Sequence, residues 1–207
     1  MKKAAFVIVS VLASATMFAE GRFSPIGMSI GFYPTPVGTP EEGVAQFPLP
    51  EDGVYGFRLA LGCVANRNMV GLAPAVYAND DAAARGYVGG LQVAPAFNTA
   101  GMGELGVWQL SGFYNKVVDS ANGFQACAFW NEVERGYFYG LQTALGNKVS
   151  ADFCGMQIGL YNAGEATMGM QIGLWNSAKS LGGMQIGLLN FVHDSPMICF
   201  PVLRFGW

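Results

Sequence analysis

One eight-residue phrase, GMQIGLxN, occurs three times between Gly155 and Asn190. Both gaps between its leading glycines, Gly155, Gly169 and Gly183, are fourteen residues. A fixed pitch of this kind is typical of repeat architectures, in which each unit buries a face only by stacking on its neighbours. The repeat therefore restricts the chain to folds built by stacking one small unit.

Weaker copies of the unit precede these three, and each begins with glycine and ends with asparagine. The six earlier copies are GFRLALGCVAN (56–66), GLAPAVYAN (71–79), GLQVAPAFN (90–98), GVWQLSGFYN (106–115), GFQACAFWN (123–131) and GLQTALGN (140–147). Their pitch is longer, and the extra residues fall mostly between units, as surface loops would allow. The sequence predicts an array of about nine strand–turn units.

Hydrophobic and polar residues alternate within each unit. Met156, Ile158 and Leu160 would point to one side, and the intervening Gln157 and Gly159 to the other. Period-two alternation over six or seven residues predicts a half-buried β-strand, and the closing asparagine suits a turn. We expect the Met, Ile and Leu side chains to fill the core and the Gln and Gly residues to line the outer face.

Two all-β architectures are compatible with such strands: a β-solenoid and an outer-membrane antiparallel β-barrel. The alternation of Leu203, Phe205 and Trp207 is typical of a closing barrel strand. A lipid-facing band must be about 25 Å tall, whereas three alternate apolar residues extend only about 13 Å. Successive barrel strands also run in opposite directions, which favours a two-strand repeat. Direct repetition of one strand unit favours the solenoid.

The chain begins like an exported protein. Lys2 and Lys3 precede an apolar run from Ala4 to Leu12, the layout of a secretory signal peptide. We predict a signal peptide over 1–19, with cleavage after Ala15 left open. A strand at 26–33 and a proline-rich lead-in fill 20–53, the repeat array spans 54–191, and a closing strand lies in 192–207. The expected location is the cell envelope, outer membrane or cell surface.

No catalytic, cofactor-binding or metal-binding group emerges from the sequence. His193 is the single histidine and is expected in a polar loop. The four cysteines, Cys63, Cys127, Cys154 and Cys199, are scattered, which argues against zinc or redox motifs. We expect free buried thiols, with one disulfide left open.

The net charge of −3 without a basic cluster argues against nucleic acid as a partner. The protein is predicted not to be an enzyme.

Aromatic residues are the best candidates for recognition. Trp108, Tyr161 and Trp175 form a candidate aromatic binding face, and in a solenoid Tyr161, Trp175 and Leu189 would be neighbours. Such a row could bind a glycan or a partner protein, and the alternative is that the rings only cover the sheet. Membrane association is left open.

Three stretches resemble a known group of bacterial proteins. They are VYGFRLAL (Val54 to Leu61), the GMQIGLxN units and the tail FPVLRFGW (Phe200 to Trp207). Together they resemble exported "surface repeat-containing" proteins built from tandem GLQIGLVN-like units. The resemblance implies an exported or cell-surface location and no established activity. We therefore expect a non-enzymatic scaffold or binding surface, with a pore-like or structural outer-membrane barrel as the alternative.

Overall fold

The computed structural model describes residues 23–30, 45–47, 53–60, 63–64, 68–76, 78–81, 88–101 and 103–206. These residues form strands, turns and bends. The strands are β1 (Phe23–Ile30), β2 (Ala45–Phe47), β3 (Gly53–Ala60), β4 (Cys63–Val64), β5 (Asn68–Pro74), β6 (Ala78–Asp81), β7 (Val88–Ala94), β8 (Phe97–Ala100), β9 (Gly103–Ser111), β10 (Tyr114–Val117), β11 (Ala121–Ala126), β12 (Trp130–Val133), β13 (Phe138–Thr143), β14 (Gly146–Val149), β15 (Phe153–Ile158), β16 (Tyr161–Ile172), β17 (Trp175–Val192) and β18 (Cys199–Gly206).

The strands stack as two parallel ladders. The first ladder carries the Gly-x-Gln segments and joins β3, β5, β7, β9, β11, β13 and β15 to the second parts of β16 and β17. The second ladder carries the asparagines and joins β4, β6, β8, β10, β12 and β14 to the first parts of β16 and β17. The predicted β-solenoid is therefore confirmed. The antiparallel barrel alternative is wrong for the described strands.

Each coil crosses from one ladder to the other through a short turn. In the GMQIGLYN unit, β15 ends at Ile158, residues 159–160 form the turn, and β16 begins at Tyr161 on the second ladder. The turn changes which positions point inward: before it the inward residues are odd-numbered, as at Gln157, and after it they are even-numbered. Asn162 then points inward, where it is fully buried. The predicted alternation therefore holds only up to Ile158.

The interior of the solenoid is lined by the glutamines. Gln157, Gln171 and Gln185 are fully buried, whereas the side chains of Ile158, Leu160 and Leu174 are 39%, 52% and 56% exposed. The predicted orientation, with Met, Ile and Leu in the core, is wrong. Alternation defines two faces of a strand without deciding which is inward, and hydrogen bonding between the buried amides decides it here.

The buried glutamines form a continuous ladder along the solenoid. From Gln109 onward, each side-chain Nε2 donates to the Oε1 of the glutamine one coil earlier, over 2.6 to 2.8 Å. In the last coils the same nitrogen also donates across the core to the carbonyl six residues later, from Gln157 to Ala163 and from Gln171 to Ser177. Satisfied amides are far less costly to bury than unpaired ones. The ladder comprises Gln92, Gln109, Gln125, Gln142, Gln157, Gln171 and Gln185.

A second amide ladder runs beside it in the opposite direction. From Asn79 to Asn176, each asparagine Nδ2 donates to the Oδ1 of the asparagine one coil later, over 2.8 to 3.2 Å. At its first member, Asn79, the Oδ1 accepts a 2.8 Å hydrogen bond from the buried guanidinium of Arg58. The ladder comprises Asn79, Asn98, Asn115, Asn131, Asn147, Asn162, Asn176 and Asn190.

An apolar strip fills the remainder of the core. Its residues are the inward valines, alanines and phenylalanines of both ladders, and the rings of Phe138 and Phe153 stack 6.3 Å apart. The largest cluster consists of Val88, Ala100, Val107, Val117, Ala121, Val133, Phe138, Val149 and Phe153. The solenoid therefore combines a polar amide zone with a narrow hydrophobic zone.

The ends of the array bear on the remaining predictions. The strand predicted at 26–33 overlaps β1, and residues 31–33 lie outside the described residues, as does the predicted signal peptide. The closing segment contains β18, which pairs antiparallel with β17; Trp207 lies outside. In the described part of the chain, no helix is long and apolar enough to span a bilayer.

Candidate functional site: an exposed apolar face

The outward surface of the first ladder is apolar, and we call it the apolar face. Its side chains lie in rows because the coils stack in register, with Met156 beside Met170 and Met170 beside Met184. The Met row contains Leu141, Met156, Met170, Met184 and Phe205; the Ile row contains Thr143, Ile158, Ile172, Ile186 and Leu203. None of these side chains carries a charge.

A ridge borders the face at the turns, and we call it the Leu ridge. Its members are exposed, and the rings of Phe113 and Phe129 stack 5.3 Å apart. Backbone hydrogen bonds between turns hold successive members together, for example from Leu160 N to Leu145 O at 2.8 Å. The ridge consists of Phe113, Phe129, Leu145, Leu160, Leu174 and Leu188.

A groove of about 520 Å³ runs between the Ile row and the Leu ridge. Its floor is formed by Ala144, Gly159, Gly173 and Gly187. A Cβ at Gly173 would collide with the carbonyl oxygen of Gly159, and one at Gly187 with that of Gly173. Glycine at these positions therefore allows the close coil stacking that forms the floor.

The outer surface of the second ladder is different, because it carries charged pairs. Lys116 lies 2.6 Å from Glu134, and Lys148 lies 3.3 Å from Glu132. The hydroxyl of Tyr114 donates a 2.8 Å hydrogen bond to Glu132. Burial, together with this hydrogen bond, raises the pKa of Tyr114 well above its usual value. The two outer surfaces thus differ sharply in polarity.

The predicted aromatic face is only partly assembled. Tyr161 and Trp175 are cross-strand neighbours at the start of the second-ladder strands. Trp108 lies on the first ladder, paired with Phe124 and Leu91, so it belongs to the apolar face instead. The change of phase at each turn explains the separation, since residues before and after it belong to different ladders.

Neighbouring rings already cover the faces of Tyr161 and Trp175. Tyr161 stacks on Trp130 at a centroid distance of 5.8 Å, and Trp175 stacks on Phe191 at 4.7 Å. The ring of Trp130 occupies the space beside Gly146, which has no side chain. One face of each of these two rings is therefore covered by another ring.

The single histidine and the cysteines, which the sequence analysis also considered, do not form a site. His193 is exposed in the turn after β17, as predicted, with its Nε2 3.3 Å from Ser177 Oγ. Cys127, Cys154 and Cys199 are free, as predicted, but the predicted burial is wrong, because the first two are half-buried and the third is exposed. The side chain of Cys63 lies outside the described ones. Burial raises the pKa of the Cys127 thiol. Over the described residues, no three His, Cys, Asp or Glu side chains are grouped as metal ligands would be.

The apolar face was missed because its residues were assigned to the core. One signal in the sequence pointed the other way. Glutamine recurs at a single position in seven units, while the residue before it varies among Leu, Trp, Phe and Met. A hydrogen-bonded ladder needs the same amide in every coil, whereas an outward apolar position tolerates any large side chain.

Comparisons with protein-family models, with curated proteins and with solved structures found no match to this chain. The resemblance to exported surface-repeat proteins therefore stays a prediction.

Proposed function

We propose that this protein is an exported, non-enzymatic scaffold of the cell envelope or cell surface, and that it binds its partner through the apolar face. The observation that carries the proposal is the outward orientation of the Met, Ile and Leu residues of the repeat. Ile158 and the leucines of the Leu ridge are exposed, and the repeated methionines are half-buried. Contiguous apolar surfaces larger than a few hundred Å² are rare on soluble monomers and mark sites of interaction.

The arrangement of polar groups supports the same function. The repeated amides are engaged in ladders inside the solenoid, so they serve the fold. The repeated apolar residues are not needed for that ladder, yet they recur at each coil. A protein partner fits the apolar face better than a glycan does, because the face lacks charged groups and because one face of Tyr161 and one of Trp175 are already covered by other rings.

Oxidative footprinting in cells tests this proposal. Met168 lies on the first ladder beside Cys154 and is 62% exposed, and Met197 lies outside the face and is 57% exposed. If the apolar face is occupied in the envelope, mild peroxide should oxidise Met168 more slowly than Met197 there. In purified protein diluted until it is monomeric, the two rates should be similar. Equal rates in both settings would contradict binding through this face, and recovery of the chain only in the cytoplasm would contradict export.

A further inference from the structure

We propose that the occupant of the apolar face is a second copy of this chain, packed face to face as a two-fold symmetric dimer. The inference rests on the proposed function, because it names the partner of the same surface. In such a dimer each face meets an identical one, as in an isologous interface. The two first-ladder sheets would form a sandwich, with the side-chain rows of one copy interdigitating with those of the other.

The size of the face matches what a specific dimer requires. From the Met168 position to the Leu ridge it extends six residues along each strand, or ~20 Å at ~3.3 Å per residue. Ten strands from β3 to β18 stack along the solenoid axis, which spans ~43 Å at ~4.8 Å per strand. The resulting ~860 Å² agrees with the ~800 Å² that each partner buries in a standard interface.

The exposed residues extend along this whole length. At the amino-terminal end Phe57 and Leu72 are exposed on the first ladder, and Trp108 and Leu110 are exposed at its middle. At the carboxyl-terminal end Leu203 and Phe205 of β18 continue the Ile and Met rows. Exposed apolar side chains therefore occur from one end of the array to the other.

The chemistry of the face also favours an identical partner. The rows of apolar side chains on this face can pack against other apolar rows of the same length and spacing. A second copy presents such a surface, with one side chain per coil in each row at the same separation. The groove beside the Leu ridge gives the partner's side chains a place to enter.

Sedimentation velocity of the purified full chain over a range of concentrations, without detergent, tests the dimer. The wild-type protein should sediment as a dimer. Leu174→Lys places a charge on the Leu ridge, where the side chain is exposed in the single chain but buried in the dimer. We expect it to weaken self-association at least ~100-fold, because an unpaired charge is costly to bury.

Met197→Lys is the matched control, because Met197 is nearly as exposed as Leu174 but lies outside the face. This variant should remain a dimer. Circular dichroism should show unchanged strand content in both variants. If Leu174→Lys does not fold, Leu188→Lys on the same ridge replaces it.

A monomeric wild-type protein, or a Leu174→Lys variant that remains a dimer, would overturn the proposal. Flotation with phosphatidylcholine vesicles then tests whether a lipid surface, instead of a second copy, occupies the apolar face. If the monomeric wild-type protein floats with the vesicles and the Leu174→Lys variant does not, a lipid surface is the occupant. The footprinting result decides separately whether the face is bound in cells, so failure of the dimer and failure of the proposed function can be told apart.

Discussion

At the residue scale, the glycine that begins each unit adopts a backbone conformation that other residues rarely adopt, and in most units it also lets neighbouring coils approach closely. All nine of these glycines have positive φ, a backbone region that residues with a Cβ rarely adopt. At Gly155 and Gly169 a Cβ would also collide with the carbonyl oxygen of the glycine one coil earlier. The nine are Gly56, Gly71, Gly90, Gly106, Gly123, Gly140, Gly155, Gly169 and Gly183. Positive φ therefore favours glycine in every unit, and close stacking requires it in most of them; at Gly106 a Cβ would meet nothing within 4 Å.

We expect Gly169→Ala to lower the free energy of unfolding by about 3 kcal/mol, because it combines backbone strain with a steric clash. Gly182→Ala is the matched control. Gly182 lies in β17, and its nearest contact for a Cβ is Met168 Cγ at 3.7 Å. Urea unfolding should show the control within about 0.5 kcal/mol of wild type. Equal losses in both variants would contradict the stacking argument.

The raised pKa of Tyr114 predicts that the free energy of unfolding decreases at alkaline pH. Its pKa is raised in the fold by burial and by the hydrogen bond to Glu132, while in the unfolded chain it is about 10. Above that pH the unfolded state loses its proton and the folded state keeps it, so stability falls as pH rises. Tyr114→Phe should therefore flatten the decline in thermal stability above about pH 10. An identical decline in both proteins would exclude Tyr114 as its source.

At the scale of the elements, the two amide ladders are oriented head to tail in opposite directions. Asparagine carbonyl oxygens point toward the amino-terminal end of the array, where Arg58 lies, and glutamine oxygens toward the carboxyl-terminal end. There Arg204 is paired in register with Gln185. Aligned amides sum to a dipole much as helix peptides do, and a cation is favoured at the negative end. A buried or nearly buried arginine therefore lies at the negative end of each ladder.

Arg58→Met tests the amino-terminal end. Loss of the charged hydrogen bond leaves the buried Asn79 oxygen without its donor, and we expect a cost of about 2–3 kcal/mol. A double-mutant cycle with Asn79→Leu should give a coupling energy above about 0.5 kcal/mol. Arg135→Met, at an exposed turn position, is the control and should lie within about 0.5 kcal/mol of wild type. Zero coupling would mean that Arg58 acts independently of the ladder.

At the scale of the whole molecule, sequence reasoning predicted the strands, the repeat array and the stacking, because pitch and period-two alternation are local signals. It did not predict which face is inward. Exchanging the two faces leaves the alternation unchanged, so the choice depends on energies that arise only between coils. A single buried Gln157 would be unfavourable, whereas Gln157 between Gln142 and Gln171 has its amide hydrogen bonds satisfied. Trp108 was misplaced relative to Tyr161 because the turn changes the phase.

Substitutions at Gln171 and Ile172, which are adjacent in one coil, give the sharpest test of which face of the strand points inward. Gln171→Ile removes an amide that donates to Gln157 and to the Ser177 carbonyl and accepts from Gln185. It should cost about 3 kcal/mol or more, since several buried polar groups lose their partner. Ile172→Gln changes only an outward side chain and should cost less than about 1 kcal/mol.

Both substitutions should be made in the Leu174→Lys background, so that self-association does not contribute to the unfolding free energy measured in urea. A core of Met, Ile and Leu would require the opposite ranking, because Ile172→Gln would then bury an amide without partners. A greater loss for Ile172→Gln than for Gln171→Ile would therefore refute the amide-ladder core, and with it the assignment of the apolar rows to the surface.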